Sequence, residues 1–218
     1  MKLSTIYILL KKEMLFEWRF KSSIGSLIVN LLATTFFIYL IFNGEITFRV
    51  WMAIFWIISL FSVIQSSYRI FIKDGNEHFY YLKNIASANE IIVSKIVYNT
   101  IFNFIISILT LIIMQLFFGQ EIGYIGIFIS TVLLASFGFA SIFTLLSGIT
   151  AKTQNVVLLG VLGLPIVLPL VLVISKLSML ADFYTAINDI YIFSGAALLL
   201  DCSIFILSII LFPYLWKE

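Results

Sequence analysis

The sequence has little of the material from which catalytic sites and soluble surfaces are made. In 218 residues there are one cysteine, one histidine and three prolines, and only 11% of residues are charged. A soluble domain carries about 25% charged residues, so a water-exposed globular domain is excluded. The single thiol, Cys202, allows no internal disulfide and reads as a small buried hydrophobe inside an apolar run. There is no Cys/His cluster, no H-E-x-x-H and no G-x-x-x-x-G-K-[ST] phosphate loop, which excludes a nucleotide site of that kind. The one histidine, His78, lies in a polar insert, so metal chemistry within the membrane is not expected. A formal charge of +2 gives no footprint for nucleic acid.

What the chain does have is apolar sequence: 62% of residues are hydrophobic and the mean hydropathy is +1.13. A spanning helix needs roughly 20 mostly apolar residues. Candidates fall at 23–43, 49–69, 92–118, 124–149, 155–176 and 190–214. These six spans leave an N-terminal segment, 1–22, a polar insert, 70–91, and short connections. The fold class is therefore an all-α integral membrane protein with six transmembrane helices in one domain, 1–218. Leu3 to Leu10 is short for the apolar part of a signal peptide and runs into Lys11, Lys12 and Glu13, so the N-terminus is expected to be retained.

Orientation follows from the basic residues. Lys2, Lys11, Lys12, Arg19, Lys21, Arg69, Lys73, Lys83, Lys95, Lys152 and Lys217 fall on one side, and only Arg49 and Lys176 on the other. The asymmetry predicts that both termini and the insert face the cytoplasm. Tyr68, Phe117, Phe118, Tyr124, Tyr191, Tyr214 and Trp216 sit near span ends, as interfacial anchors do.

Two amphipathic pieces lie on that side. Leu3, Tyr7, Leu10, Met14 and Trp18 recur at helical spacing, with Lys11, Lys12, Glu13, Glu17, Arg19 and Lys21 among them. This predicts an interfacial helix along the bilayer, either an anchor that fixes topology or an elbow that docks a partner. In the insert, Asp74-Gly75-Asn76 is a stop and restart signal. A short helix follows, with Phe79, Leu82, Ile85 and Ala86 on one side, and Tyr80 and Tyr81 add aromatic surface that favours a protein contact. Ser87-Ala88-Asn89-Glu90 then has capping-box spacing before the third span. Such a helix, held between two spans, has the form of a coupling element; an ordinary capped loop helix is the plainer alternative.

Within the spans, Asp201 is the one ionisable residue near a helix centre, where insertion costs roughly 2.5–3.5 kcal/mol, so it faces protein or water. It either lines a gate or bonds to a Ser, Thr or Tyr of a neighbouring span. An intramembrane protease needs two such carboxylates. The fifth span combines Gly160, Gly163, Pro165 and Pro169, which predicts a kink or two half-helices. Ala135, Gly138, Ala140, Ser147 and Gly148 of the fourth span permit close helix contact. Both features fit either tight packing or a moving translocation element.

Five segments together resemble the CcmB family of permease subunits of the ABC-type haem exporter in cytochrome c maturation. They are Lys12-Glu13 with Glu17-Trp18-Arg19; Tyr80-Tyr81-Leu82 with Ala86-Ser87 and Glu90 to Asn99; Phe137 to Ala140 with Gly148, Ala151 and Lys152; Leu164 to Pro169; and Leu211 to Lys217. The resemblance covers essentially the whole chain. It implies an ABC-2-like permease in the bacterial inner membrane that binds no cofactor itself. It also implies a separate CcmA-like ATPase subunit carrying the ATP, a CcmC-like haem-handling subunit, a second copy of the chain and haem as candidate cargo. The insert then becomes the coupling helix, although the proline-rich stretch of some relatives is replaced here by Ile85 to Asn89. The rival classes are a self-sufficient secondary transporter, which shows paired broken helices and intramembrane charges, and a membrane scaffold that transports nothing.

Overall fold

The computed structural model describes residues 3–19, 21–72, 86–150, 156–182 and 187–217, with side chains described for 3–15, 25–67, 86–150, 157–182 and 187–214. The described residues form seven helices and no strand: α1 (Leu3–Arg19), α2 (Lys21–Phe42), α3 (Phe48–Ile72), α4 (Ala88–Phe118), α5 (Ile125–Thr150), α6 (Val156–Met179) and α7 (Ile187–Lys217). Six of these are long and apolar enough to cross a membrane, over Gly25–Phe42, Phe48–Ser67, Ala88–Phe118, Ile125–Thr150, Val157–Met179 and Ile187–Tyr214. Each overlies one of the six spans expected from hydropathy. The protein is a six-span, all-helical membrane protein.

Local signals explain where the helices stop. The α2–α3 reversal turns on two left-handed residues, Asn43 (φ 51°) and Gly44 (φ 79°). The Gly44 N–H donates to the Tyr39 carbonyl at 3.1 Å, and the Tyr39 ring occupies the space a side chain at 44 would need. Gly119, also left-handed, closes α4 by donating its N–H to the Gln115 carbonyl at 2.9 Å. The Tyr124 N–H donates to the Ala181 carbonyl at 2.9 Å, tying the start of α5 to the end of α6.

Helix α5 is the centre of the bundle, packed against α3, α4, α6 and α7, whereas α2 lies at the edge. One half of the bundle is aromatic: Trp51 stacks on Phe55 at 5.9 Å, Phe55 tilts against Phe128 at 5.1 Å, and Trp56 meets Phe139 edge-on at 6.4 Å. The Trp56 indole N–H also donates to Ser178 Oγ at 3.0 Å, joining α3 to α6. The opposite end gathers Ile6 and Leu9 of α1, Ile91, Ile92, Val93 and Ile96 of α4, Leu145 of α5 and Phe212 of α7 into a second buried cluster. Helix α1 and the last turns of α7 therefore belong to that end, called here the near end.

Three expectations change. Residues Leu3, Tyr7 and Met14, the apolar face read from periodicity, point away from the bundle, while Ile6 and Leu9 of α1 are buried. The helix has apolar residues on two sides, and packing on α4 selects the narrower one. Cys202 is exposed on α7 rather than buried, so it faces away from the bundle's interior. Of the two alternatives for the fifth span, a kink or two half-helices, the second falls, because α6 runs unbroken through Pro165 and Pro169. Each proline only removes the N–H that would serve the carbonyl four residues earlier, at Val161 and Pro165, and the flanking turns hold the helix together.

Candidate functional site

At the near end, α4 opens with the cap expected from its sequence. Ser87 is extended (φ −69°, ψ 152°), and the Glu90 backbone N–H donates to Ser87 Oγ while the Glu90 carboxylate accepts the Ser87 N–H. The second bond measures 3.0 Å. Reciprocal capping fixes the first turn of α4 to the chain that enters it. Ala86, just before the cap, is buried in the near-end cluster, and Glu90 is buried as well. The other coupling candidates, Asp74, Gly75, Phe79, Tyr80, Tyr81 and Leu82, lie outside the described residues, as does His78.

Further along α4, every fourth residue carries a polar tie to another helix. Lys95, 2% exposed, donates to Glu13 Oε1 of α1 at 3.3 Å. Asn99 Nδ2 donates to Ser67 Oγ of α3 at 2.9 Å and to Thr144 Oγ1 of α5 at 3.0 Å. Asn103 Oδ1 accepts from Ser66 Oγ of α3 at 3.0 Å. Asn99 and Asn103 are fully buried. Glu13 also lies 3.7 Å from its neighbour Lys12; sequence reasoning singled out both of these but not the pairing with Lys95, and it gave neither asparagine a role. The signal was present: Lys95, Asn99, Asn103 and Ser107 recur at a step of four in an otherwise apolar span, which places them on one face. Glu17 and Arg19 lie on α1, and their side chains are outside those described.

The gating candidates divide into those that meet and those that stand apart. Asp201 of α7 is fully buried, and neither of its carboxyl oxygens has a hydrogen-bond partner among the described residues. It lies in a notch made by Gly138 of α5, where a Cβ would collide with the Asp201 carboxyl and with Leu170 of α6. Three helices thus converge on a residue that has no side chain. The same α5–α7 seam continues through Phe137 and Phe205, with ring centroids 5.6 Å apart, and through the Ser208 hydroxyl, which donates to the Ser141 carbonyl at 3.4 Å. Gly163 of α6 is required in the same way, because a Cβ there would strike the Phe143 ring. At Gly160 nothing lies within 4 Å of such a Cβ, so close contact does not explain that glycine. Pro165 and Pro169 lie on α6 in the stretch leading to Leu170.

A family model for the CcmB protein matches residues 4–215, nearly the full length. The chain belongs to the CcmB family. Comparison with curated proteins and with solved structures returned no match. Membership makes the chain a membrane component of the ABC haem-export system of cytochrome c maturation, a transport subunit and not a catalyst. In this CcmB-family chain the described polar side chains do not converge on a reacting centre. Most of the hydroxyls bond back to their own helix, while Lys95, Asn99, Asn103, Trp56 and Ser208 join one helix to another, and what these ties can do is carry displacement from the near end into the bundle.

Proposed function

We propose that this chain is the permease subunit of an ABC transporter worked from the cytoplasm by a separate nucleotide-hydrolysing subunit. The segment between α3 and α4 receives that subunit as a coupling element through Phe79, Tyr80, Tyr81 and Leu82, with Asp74 and Gly75 as the stop signal ahead of it in the sequence. The near end then faces the cytoplasm of a bacterial inner-membrane protein, in accord with the basic residues. A haem-handling subunit and a second copy of the chain complete the assembly, and the work done is moving haem or releasing it from that partner.

The observation that carries this reading is the construction of α4. A reciprocal cap fixes the helix at the point where the insert enters, and successive ties at Lys95, Asn99 and Asn103 distribute its displacement to α1, α3 and α5. The convergence of Gly138, Leu170 and Asp201, with Gly160, Gly163, Pro165 and Pro169 on α6, is the part of the bundle that responds. Among the described residues two helices contain prolines, α6 with Pro165 and Pro169 and α7 with Pro213, and both run unbroken, which does not match the paired interrupted helices of a secondary transporter.

Purification of the complex in mild detergent tests the reading. An ATPase subunit is expected to co-elute, and replacing Tyr81 and Leu82 with Asp is expected to remove it while the membrane subunit accumulates normally. Elution of the wild-type chain with no nucleotide-hydrolysing partner overturns the reading.

A further inference from the structure

The pairing of Glu13 with Lys95 joins residues 82 positions apart, and it does so at a lysine that is almost fully enclosed. A buried ammonium needs a compensating charge, so whatever moves Lys95 also moves the carboxylate bound to it. The pair is backed by apolar contact, since Ile6 and Leu9 share one buried cluster with Ala86, Ile91, Ile92 and Ile96. Helix α1 packs more extensively on α4 than on α2, the helix that follows it directly in the chain. It is thus fastened sideways to a distant span.

We propose that α1 and the first two turns of α4 form a single rigid lever, latched by Glu13 and Lys95, and that α1 travels with α4 during the transport cycle. The proposal rests on the permease reading above. It changes the part played by α1, from an anchor that fixes topology to half of the moving arm. From Ser87 to Lys95 the helix rises about 12 Å at 1.5 Å per residue, so a push delivered at the cap reaches the latch through two turns of continuous helix. The ion pair then turns a displacement along one span into a displacement of a second helix at the membrane surface. Glu13 and Lys95 are positioning residues in this scheme, because neither touches cargo or nucleotide.

The test uses the whole complex. Glu13→Gln and Lys95→Met are expected to retain the co-eluting ATPase subunit and its hydrolysis of ATP, yet to lower cytochrome c maturation at least fivefold. Lys95→Arg, which keeps the charge, is expected to mature cytochrome normally, and the exchange Glu13→Lys with Lys95→Glu to recover at least half of wild-type output. In a Cys202→Ser background, Glu13→Cys and Lys95→Cys joined by a short bis-maleimide are expected to leave ATP hydrolysis by the purified complex at the wild-type rate, because the two helices need not part.

Normal maturation in both single variants overturns the latch, as does failure of the exchange to recover output in an intact complex. Loss of hydrolysis on cross-linking overturns the rigid lever, since it shows that α1 separates from α4. Absence of an ATPase subunit from the wild-type preparation is a different failure: it removes the permease reading itself, whatever the variants do.

Discussion

Replacing Gly138 with alanine probes the convergence of α5, α6 and α7 directly. The added methyl would meet the Asp201 carboxyl and Leu170 in a space that is already filled. Leu170 is 1% exposed and Asp201 is fully buried, so neither side chain has solvent to move into. Inserting one carbon into a packed core costs typically about 1–3 kcal/mol. For a domain of 150–250 residues each kcal/mol lowers the unfolding midpoint by roughly 2–4 °C. Gly138→Ala is therefore expected to lower the midpoint in detergent by several degrees and to reduce cytochrome c maturation. The decisive comparison is the double variant with Asp201→Ala, which frees the volume the methyl needs. Its loss of stability should be smaller than the sum of the two single losses, because contacting residues do not act additively. A Gly138→Ala protein as stable as wild type, or strict additivity in the double variant, refutes the argument from crowding.

Three further perturbations address other links in the chain. Asn99→Leu removes two interhelical hydrogen bonds, each worth on average about 0.6 kcal/mol and at most about 1.7 within a membrane. Thermal unfolding in detergent should show a loss of about 1–3 kcal/mol, and no loss would mean that the bonds to Ser67 and Thr144 do not hold the bundle. Ser87→Ala removes the cap of α4, worth about 0.5–2 kcal/mol. Amide hydrogen exchange should speed up over residues 88–91 and leave the middle of α4 unchanged, whereas unchanged exchange at 88–91 would deny the cap its role. Asp201→Asn keeps the shape that fits beside Gly138, so the complex should assemble and elute normally while maturation falls; normal maturation would reduce Asp201 to a packing residue.

Much of this architecture was legible in the sequence, because in a bilayer the backbone must satisfy its own hydrogen bonds and long apolar runs leave only the helix. The expected spans agree with the observed helices, and Ser87 with Glu90 was readable as a cap because capping boxes are local. Helix α4 begins at Ala88, ahead of the expected 92, because its first turn is polar and hydropathy marks the edge of the apolar run, not of the helix. The polar ties were harder to see. Asn99 and Asn103 are uncharged, and hydropathy averages them away, while their partners at Ser66, Ser67 and Thr144 lie on other helices. The packed face of α1 was misjudged for a related reason: periodicity finds apolar stripes, and only the tertiary partner, here the start of α4, decides which stripe is buried. Gly138 and Gly160 look alike in sequence, yet a side chain at the first would collide with two helices and at the second with nothing within 4 Å.

Photo-cross-linking from position 81 in intact membranes tests the central claim most directly. With a photoreactive residue in place of Tyr81, the account predicts an adduct with the nucleotide-hydrolysing subunit, formed on the cytoplasmic side and weakened when Leu82 is replaced with Asp. Labelling of a cysteine at position 80 by a membrane-impermeant reagent added outside the cell, or the absence of any protein adduct from position 81 in the assembled complex, would contradict it.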